Sequence, residues 1–305
     1  MIPDVNFMRV KSLLTHLLLA LVGLGILPVA LATDFSMPLA GKWRFQMDRH
    51  DVGIEDAYFK RDLTQSIRLP GILQAQGFGD EISTNTPWVL SLYDKVWFQR
   101  EDYKAFTTPG QVKVPFVSHP EQHYLGVAWY QRDIEIPKEW EGRRVVLFLE
   151  RTRWETRAWL DDELVGANRS LCTPHEFDFG IVTPGKHRLT VRVDNRMLMN
   201  YRPDAHAVSD SLGSTWNGIV GQIELRSTPP VWIEEIQVFP SAQSKIIDLR
   251  IHIGNATTQS HETRYQILTS KNRDSDKIGI YDTTNVPSGG RWLDARIFLK
   301  SETKE

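Results

Sequence analysis

The sequence predicts an all-β protein built from sandwiches. Three observations carry this. From residue 128 onward, short runs alternate apolar and polar residues or are continuously apolar. Turn formers punctuate them: Pro137, Asp161-Asp162 and Pro184-Gly185. No long segment between the runs has helical periodicity, which argues for sheet packed on sheet.

The elements follow in order. Leu39–Met47 alternates around Trp43 and Phe45 and reads as an opening strand. Residues 70–127 are rich in Gly, Pro, Ser, Thr and aromatics, as expected of long loops that cross a sandwich face or build a binding edge. Ala128–Pro137 alternates and stops at its proline. Arg144–Glu150 is continuously apolar between its charged ends, so it should be buried on both faces. Thr156–Leu160 and Glu163–Gly166 read as a hairpin turning at Asp161-Asp162. Lys186–Asp194 places Leu189, Val191 and Val193 on one face and charges on the other. Val220–Arg226 is a further short strand.

Ser227-Thr-Pro-Pro230 marks a boundary, because paired prolines continue neither strand nor helix. Beyond it, Val231–Phe239, Ile246–Ile253, Tyr265–Leu268 and Trp292–Leu299 read as strands of a second sandwich. With about 75 residues this part is similar to an immunoglobulin-like sandwich, yet shorter than the ~100 residues that fold usually takes, so the expectation is an incomplete one.

Composition narrows the function classes. The chain has 305 residues, with 36 basic against 38 acidic side chains and a net charge of −2. A phosphate backbone needs a basic surface, so no nucleic-acid partner is expected. Apolar residues at 41% and charged ones at 24% are those of a globular protein. The 10 tryptophans supply core anchors and flat faces for stacking on sugars. The single cysteine, Cys172, excludes an intramolecular disulfide and any cysteine-based zinc cluster.

The N-terminus reads as an address. Arg9 and Lys11 precede an apolar run from Leu17 to Ala32 that closes on Ala30-Leu31-Ala32. This is the order of a secretory signal peptide over 1–32. The run is broken by Gly23, Gly25 and Pro28 and falls short of the ~20 residues a membrane span needs. The expected organisation is a signal peptide at 1–32, a first sandwich at 33–228 and a second at 229–305. An exported chain with one cysteine suits a bacterial periplasm or secretion, with no membrane association after cleavage. Asn168-Arg-Ser and Asn255-Ala-Thr match the glycosylation pattern and are read as chance.

At Gly126–Pro137 the text resembles the first signature strand of the sugar-binding domain of glycoside hydrolase family 2, which includes β-galactosidases, β-glucuronidases and β-mannosidases. Further segments resemble that family in the same order: the hairpin Trp159–Gly166 (with Asp162 where glycine is usual), Thr173–Asp178, Gly185–Asn195, and the closing strand Trp216–Leu225. Trp232–Pro240 then looks like entry into the family's immunoglobulin-like domain. The resemblance implies a jelly-roll (galactose-binding-like) sandwich followed by an immunoglobulin-like one. In the family a (β/α)8 barrel of ~250 residues then carries the chemistry. The family's acid/base glutamate follows an asparagine, and this sequence contains no Asn-Glu dipeptide. No residue here inherits a catalytic role, and no metal or cofactor is expected.

Other groups that could carry chemistry read as structural. Asp161-Asp162 sits in a turn, and Glu234-Glu235 points to opposite faces of a strand. His119 and His123 are separated by a proline-containing loop, and Cys172 beside His175 lacks a third member, so it reads as a small filler. Trp129, Trp154 and Trp159 read as core. The loop Asn200–Asn217 is long, polar and aromatic, with Tyr201, Arg202, Asp204 and His206 in its first half. By the resemblance it reaches toward the sugar, with Asp210, Trp216 and Asn217 as candidate substrate-binding residues. Lys113 departs from the asparagine some members place near there, and no role is carried to it. The resulting expectation is the non-catalytic N-terminal part of an exported family-2 β-glycosidase, β-galactosidase-like, whose partners are a β-glycoside and a catalytic barrel supplied elsewhere. The alternative is a stand-alone carbohydrate-binding module without hydrolase activity.

Overall fold

The alternation at Lys42–Met47 does become a strand. The computed structural model describes residues 35–89, 97–114, 116, 118–198, 208–241, 243, 246–269 and 278–298. The chain divides into Met1–Ala32 and Thr33–Glu305. The proposed signal peptide lies outside the described residues. Among the described residues no helix is long and apolar enough to cross a membrane.

The first set of strands is β1 (Phe35–Pro38), β2 (Gly41–Asp48), β3 (Gln65–Leu69), β4 (Gly71–Ile72), β5 (Asp80–Glu81), β6 (Gln122–His123), β7 (Val127–Ile136), β8 (Arg144–Thr152), β9 (Glu155–Leu160), β10 (Glu163–Arg169), β11 (His175–Ile181), β12 (Gly185–Asp194) and β13 (Gly218–Thr228). One sheet runs β1-β13-β8-β11, with β4 also on β13. The other runs β10-β9-β12-β7-β2-β3, and among the described residues β5 pairs only with β6. All pairings are antiparallel. The two larger sheets form the jelly-roll sandwich. Trp43, Phe45, Tyr130, Leu189, Val191 and Val193 of one sheet share a continuous core with Val145, Leu147, Leu149, Ile219 and Leu225 of the other. Each such side chain contributes about 1.5–3 kcal/mol by leaving water.

Period-2 alternation puts one face of each strand in that core, and the other face has its own cover. Trp129 and Trp159, 5.0 Å apart between ring centroids, pack under Tyr58 and Leu63 in a second cluster outside the six-stranded sheet. The polar face expected for β12 is therefore not solvated. Arg192 is buried on it, bonded to Glu155, Asp194 and Asp51 at 3.2, 3.3 and 2.7 Å. The loop at 51–63 covers this face, and paired charges tolerate that cover because each has a partner. The predicted hairpin turns where expected. Asp161 takes the left-handed conformation at φ 54°. Its carboxylate accepts from the Arg188 backbone N–H at 2.8 Å and from His187 Nδ1 at 2.9 Å, a use of Asp that glycine could not replace.

The second set is β14 (Val231–Ser241), β15 (Ile246–Asn255), β16 (His261–Thr269), β17 (Ile278–Val286) and β18 (Arg291–Phe298). It forms a three-stranded sheet, β14-β15-β18, and a two-stranded one, β16-β17. The alternation of β15 is clear in Leu249, Ile251 and Ile253, which are buried with Val286 and Ile297 in a separate small core. The sequence reading had no strand at β17. Its text, Ile278–Val286, is rich in Asp, Thr and Asn and lacks strong alternation. Asn255 is buried at the end of β15, and its amide donates to the backbone carbonyls of Gln259, Val286 and Pro287. That leaves it no room for a glycan.

Candidate functional site

The loop between β12 and β13 is where the candidate residues gather. Its first half, with Tyr201, Arg202, Asp204 and His206, lies outside the described residues. Its second half folds tightly: the Gly213 N–H donates to Ser209 O at 2.9 Å, and the Ser209 and Ser211 hydroxyls bond at 2.8 Å. Asp210 sits inside this turn, 2% exposed. Its Oδ1 accepts from the Thr215 N–H at 2.7 Å, and its Oδ2 from the Val89 N–H at 2.8 Å. The Asp210 N–H returns the favour to Val89 O at 2.8 Å. One carboxylate thus ties the loop to a segment far away in sequence.

Around it stand three more groups. His123 Nε2 lies 3.7 Å from Asp210 Oδ2, too long for a hydrogen bond but close enough for an ion pair when the ring is protonated. The Arg153 guanidinium is buried and donates to Ser214 O at 3.4 Å. Trp88 is half-buried and meets His123 and Phe116 edge-on, at 4.8 and 5.1 Å between centroids. Burial pushes the Asp210 carboxyl up, but His123, Thr215 and the Val89 N–H outweigh it and hold it below the usual carboxylate range. Burial pulls the Arg153 guanidinium down, opposed by Asp210.

Asn217 is fully buried and every polar atom is used. Its Oδ1 accepts from the Tyr130 hydroxyl at 2.8 Å, and its Nδ2 donates to Gly126 O and Val193 O at 3.0 and 3.2 Å. Its backbone N–H donates to Gln74 Oε1 at 3.2 Å, and its carbonyl accepts from Leu73 at 2.9 Å. Asn217 and Asp210 therefore act as anchors in this chain rather than groups offered to a ligand. Their shared cause is burial: a loop that turns into a sandwich core must satisfy its own backbone. Trp216, between Asp210 and the closing strand, is half-buried. Of the three candidates, Trp216 alone is not fully buried.

Trp129, Trp154 and Trp159 are core, none more than 3% exposed. Cys172 is exposed in the turn after β10, not a filler in the interior. The hydroxyl of Ser170 holds that turn by accepting from the Cys172 and Thr173 N–H groups, which keeps the thiol side outside. His175 is buried against Thr152 Oγ1 at 2.8 Å and Ser170 O at 3.1 Å, so it is a packed histidine. Gln74, Trp88, His123 and Arg153 escaped the sequence reading as parts of this cluster. They lie in four separate segments, and only the general aromatic and polar richness of 70–127 hinted at the first three.

Fold and cluster together define a class: a β-sandwich module whose polar and aromatic loops converge beside its closing strand. Residues 88–229 match the family model for glycosyl hydrolases family 2, sugar binding domain. A β-galactosidase from Thermoanaerobacter pseudethanolicus is 22% identical over 182 residues, covering 56% of this chain and 24% of the relative. One from Psychromonas ingrahamii is 23% identical over 270 residues, covering 87% and 23%. The chain thus spans about a quarter of the length of these relatives. Among solved structures, a calcium-binding mutant of β-glucuronidase 2 from Bacteroides uniformis superimposes with a TM-score of 0.56 at 13% identity, over 87% of this chain and 28% of that one. A glycosyl hydrolase family 2 member from Bacteroides cellulosilyticus gives 0.53 at 16%, over 86% and 30%. These two share the fold.

Proposed function

We propose that this chain is the non-catalytic N-terminal part of an exported family-2 β-glycosidase, β-galactosidase-like, whose hydrolytic barrel is supplied by further polypeptide. Its role is to recognise the carbohydrate at the mouth of that barrel, with Trp216 as the contact and Asp210, His123 and Asn217 holding the loop that presents it. The observation that carries this is the match at 88–229 to a sugar-binding domain of hydrolases, in a chain that covers about a quarter of its β-galactosidase relatives. The sequence order of Arg9 and Lys11, the apolar run to Ala32 and its Ala30-Leu31-Ala32 close supports a signal peptide ending there and export to the periplasm or medium. A buried Asp210 bonded to two backbone N–H groups is suited to positioning, because ordering a loop in advance lowers the cost of binding.

The test has two parts. The coding sequence beyond Glu305 should encode a barrel, and the isolated chain should turn over aryl β-glycosides at background. In the complete enzyme, Trp216→Ala should raise KM about tenfold with kcat little changed, the pattern of lost uniform binding. Turnover by the isolated chain that an Asp or Glu substitution abolishes would overturn the reading.

A further inference from the structure

Only Pro229 and Pro230 separate the first set of strands from the second, since β13 ends at Thr228 and β14 begins at Val231. Two sandwiches joined by a linker can swing about it, and relative motion is the default where the shared surface is small. Here the linker is pinned at both ends. Arg143 Nε donates to Ser227 Oγ at 2.8 Å on the side of the first sandwich, and the Ala256 N–H donates to Pro230 O at 2.8 Å on the side of the second. One side chain then reaches across. Trp232, the second residue of β14, is half-buried and lies in register with Gly254 of β15. A Cβ on Gly254 would stand 2.6 Å from Trp232 Cε2 and 2.7 Å from Cη2, so only glycine lets the indole lie on that backbone. Cζ2, between those two atoms, is about equally close, which puts Gly254 over the plane of the ring and not at its rim. Arg144 Cζ, on β8 of the first sandwich, stands 3.9 Å from the indole centroid. Two groups this close need opposite faces, so the ring is held between them.

Arg144 is itself fixed. Its Nε donates to Asp178 Oδ2 at 2.9 Å, and its side chain is 14% exposed. A cation over an indole is drawn to the negative face of the ring, and more strongly where water is kept away. A tryptophan that merely covers its own strand needs none of this: no glycine beneath it, no guanidinium from another sheet above it, no carboxylate aiming that guanidinium. We propose that Gly254, Trp232 and Arg144 form a clamp that holds the two sandwiches in one orientation and slows the opening of the second. The indole belongs to one sandwich and its upper cover to the other, so neither can swing about Pro229-Pro230 without stripping the ring of a face. The clamp also fixes how the loop that carries Trp216, in the first sandwich, is directed relative to the second.

The test uses the purified chain and two readouts. The first is orientation. Nitroxide labels on Cys172 of the first sandwich and on Glu262→Cys of the second, both exposed positions, report the distance between the sandwiches. The expected distribution is narrow in the parent and broad in Trp232→Ala, in Gly254→Ala and in Arg144→Ala. The second readout is amide hydrogen exchange of β15. Arg144 lies outside the second sandwich, so faster β15 exchange in Arg144→Ala, by about three- to tenfold, reports the coupling itself. Unchanged β12 exchange in the same variant shows that the first sandwich is intact. Should β12 speed up as well, Arg144→Lys, which keeps the charge and loses the flat guanidinium, takes its place with the same expected outcome. A broad distribution in the parent overturns the inference. Faster β15 exchange in Trp232→Ala with none in the Arg144 variant also overturns it, and makes Trp232 an internal packing residue of the second sandwich.

Discussion

The two sandwiches are written in the same alternating pattern but end in different states. On β12 of the first, Leu189, Val191 and Val193 are fully buried, because a second sheet of comparable width lies across them. On β14 of the second, Ile236 and Val238 have the same alternation and are more than half exposed. The difference is in the partner, not the strand. Among the described residues a three-stranded sheet is faced by a two-stranded one, which leaves a column without cover whatever its residues are. Alternation announces which face a strand wants to bury, and only the opposing layer determines whether it succeeds.

Substitutions sharpen this comparison. The largest effect is expected at Phe45, fully buried between Phe78 and Tyr130. Phe45→Ala should cost about 3–5 kcal/mol in denaturant unfolding of the first sandwich. Ile251→Ala, on the covered half of the second sandwich, should cost about 2–4 kcal/mol in the transition of that part, since its neighbours can relax into the groove of about 390 Å³ that it lines. A cost as large as that of Phe45 would mean that the second core is as tightly closed as the first. Asp210→Ala should cost about 1–3 kcal/mol, because it leaves the Val89 and Thr215 N–H groups buried without an acceptor. A loss below half a kcal/mol there would show that the loop is not held by this carboxylate. At the other end, Ile236→Ser should change stability by no more than about half a kcal/mol. The gap between Ile236 and Ile251, neighbours in register on one face, measures the missing cover directly.

Acid should act on the first sandwich in two stages. Burial pulls the His175 imidazole below its ordinary value, so the unfolded chain binds that proton first, and stability falls as pH drops below about 6.5. The Asp210 carboxyl is held below its ordinary value. Its contribution is present above about pH 4 and is lost as pH falls through its lower folded value. Thermal midpoints of the parent and His175→Gln from pH 8 to 3 check this. The variant should lose the first stage and keep the second, and an unchanged first stage would remove His175 from the account.

Much of the fold was legible because its signals are local. Trp43 and Phe45 mark β2, the continuous run at Val145–Leu149 marks the doubly buried β8, and Asp161 marks its turn. The polar strand β17 was not legible, since pairing with β16 rather than its own text makes it a strand. The candidate loop was legible as a place: long, polar, aromatic and flanked by strands. The roles within it were not. Asp210 and Asn217 read as ligand groups because polar residues in a loop are usually solvated, but here they face inward and serve the backbone.

What the sequence determined by itself was therefore the class of protein, the order of most strands, and the stretch of chain where recognition should be sought. Period and turn chemistry are properties of neighbouring residues and survive without a third dimension. The tertiary structure alone decided which polar groups are spent on holding the loop, which of the loop's candidates stays half-buried, and which apolar column lacks a cover among the described residues. Those outcomes depend on what stands opposite each side chain, and residues as distant as Val89 and Asp210, or Ile236 and Ile267, meet only when the sheets have packed.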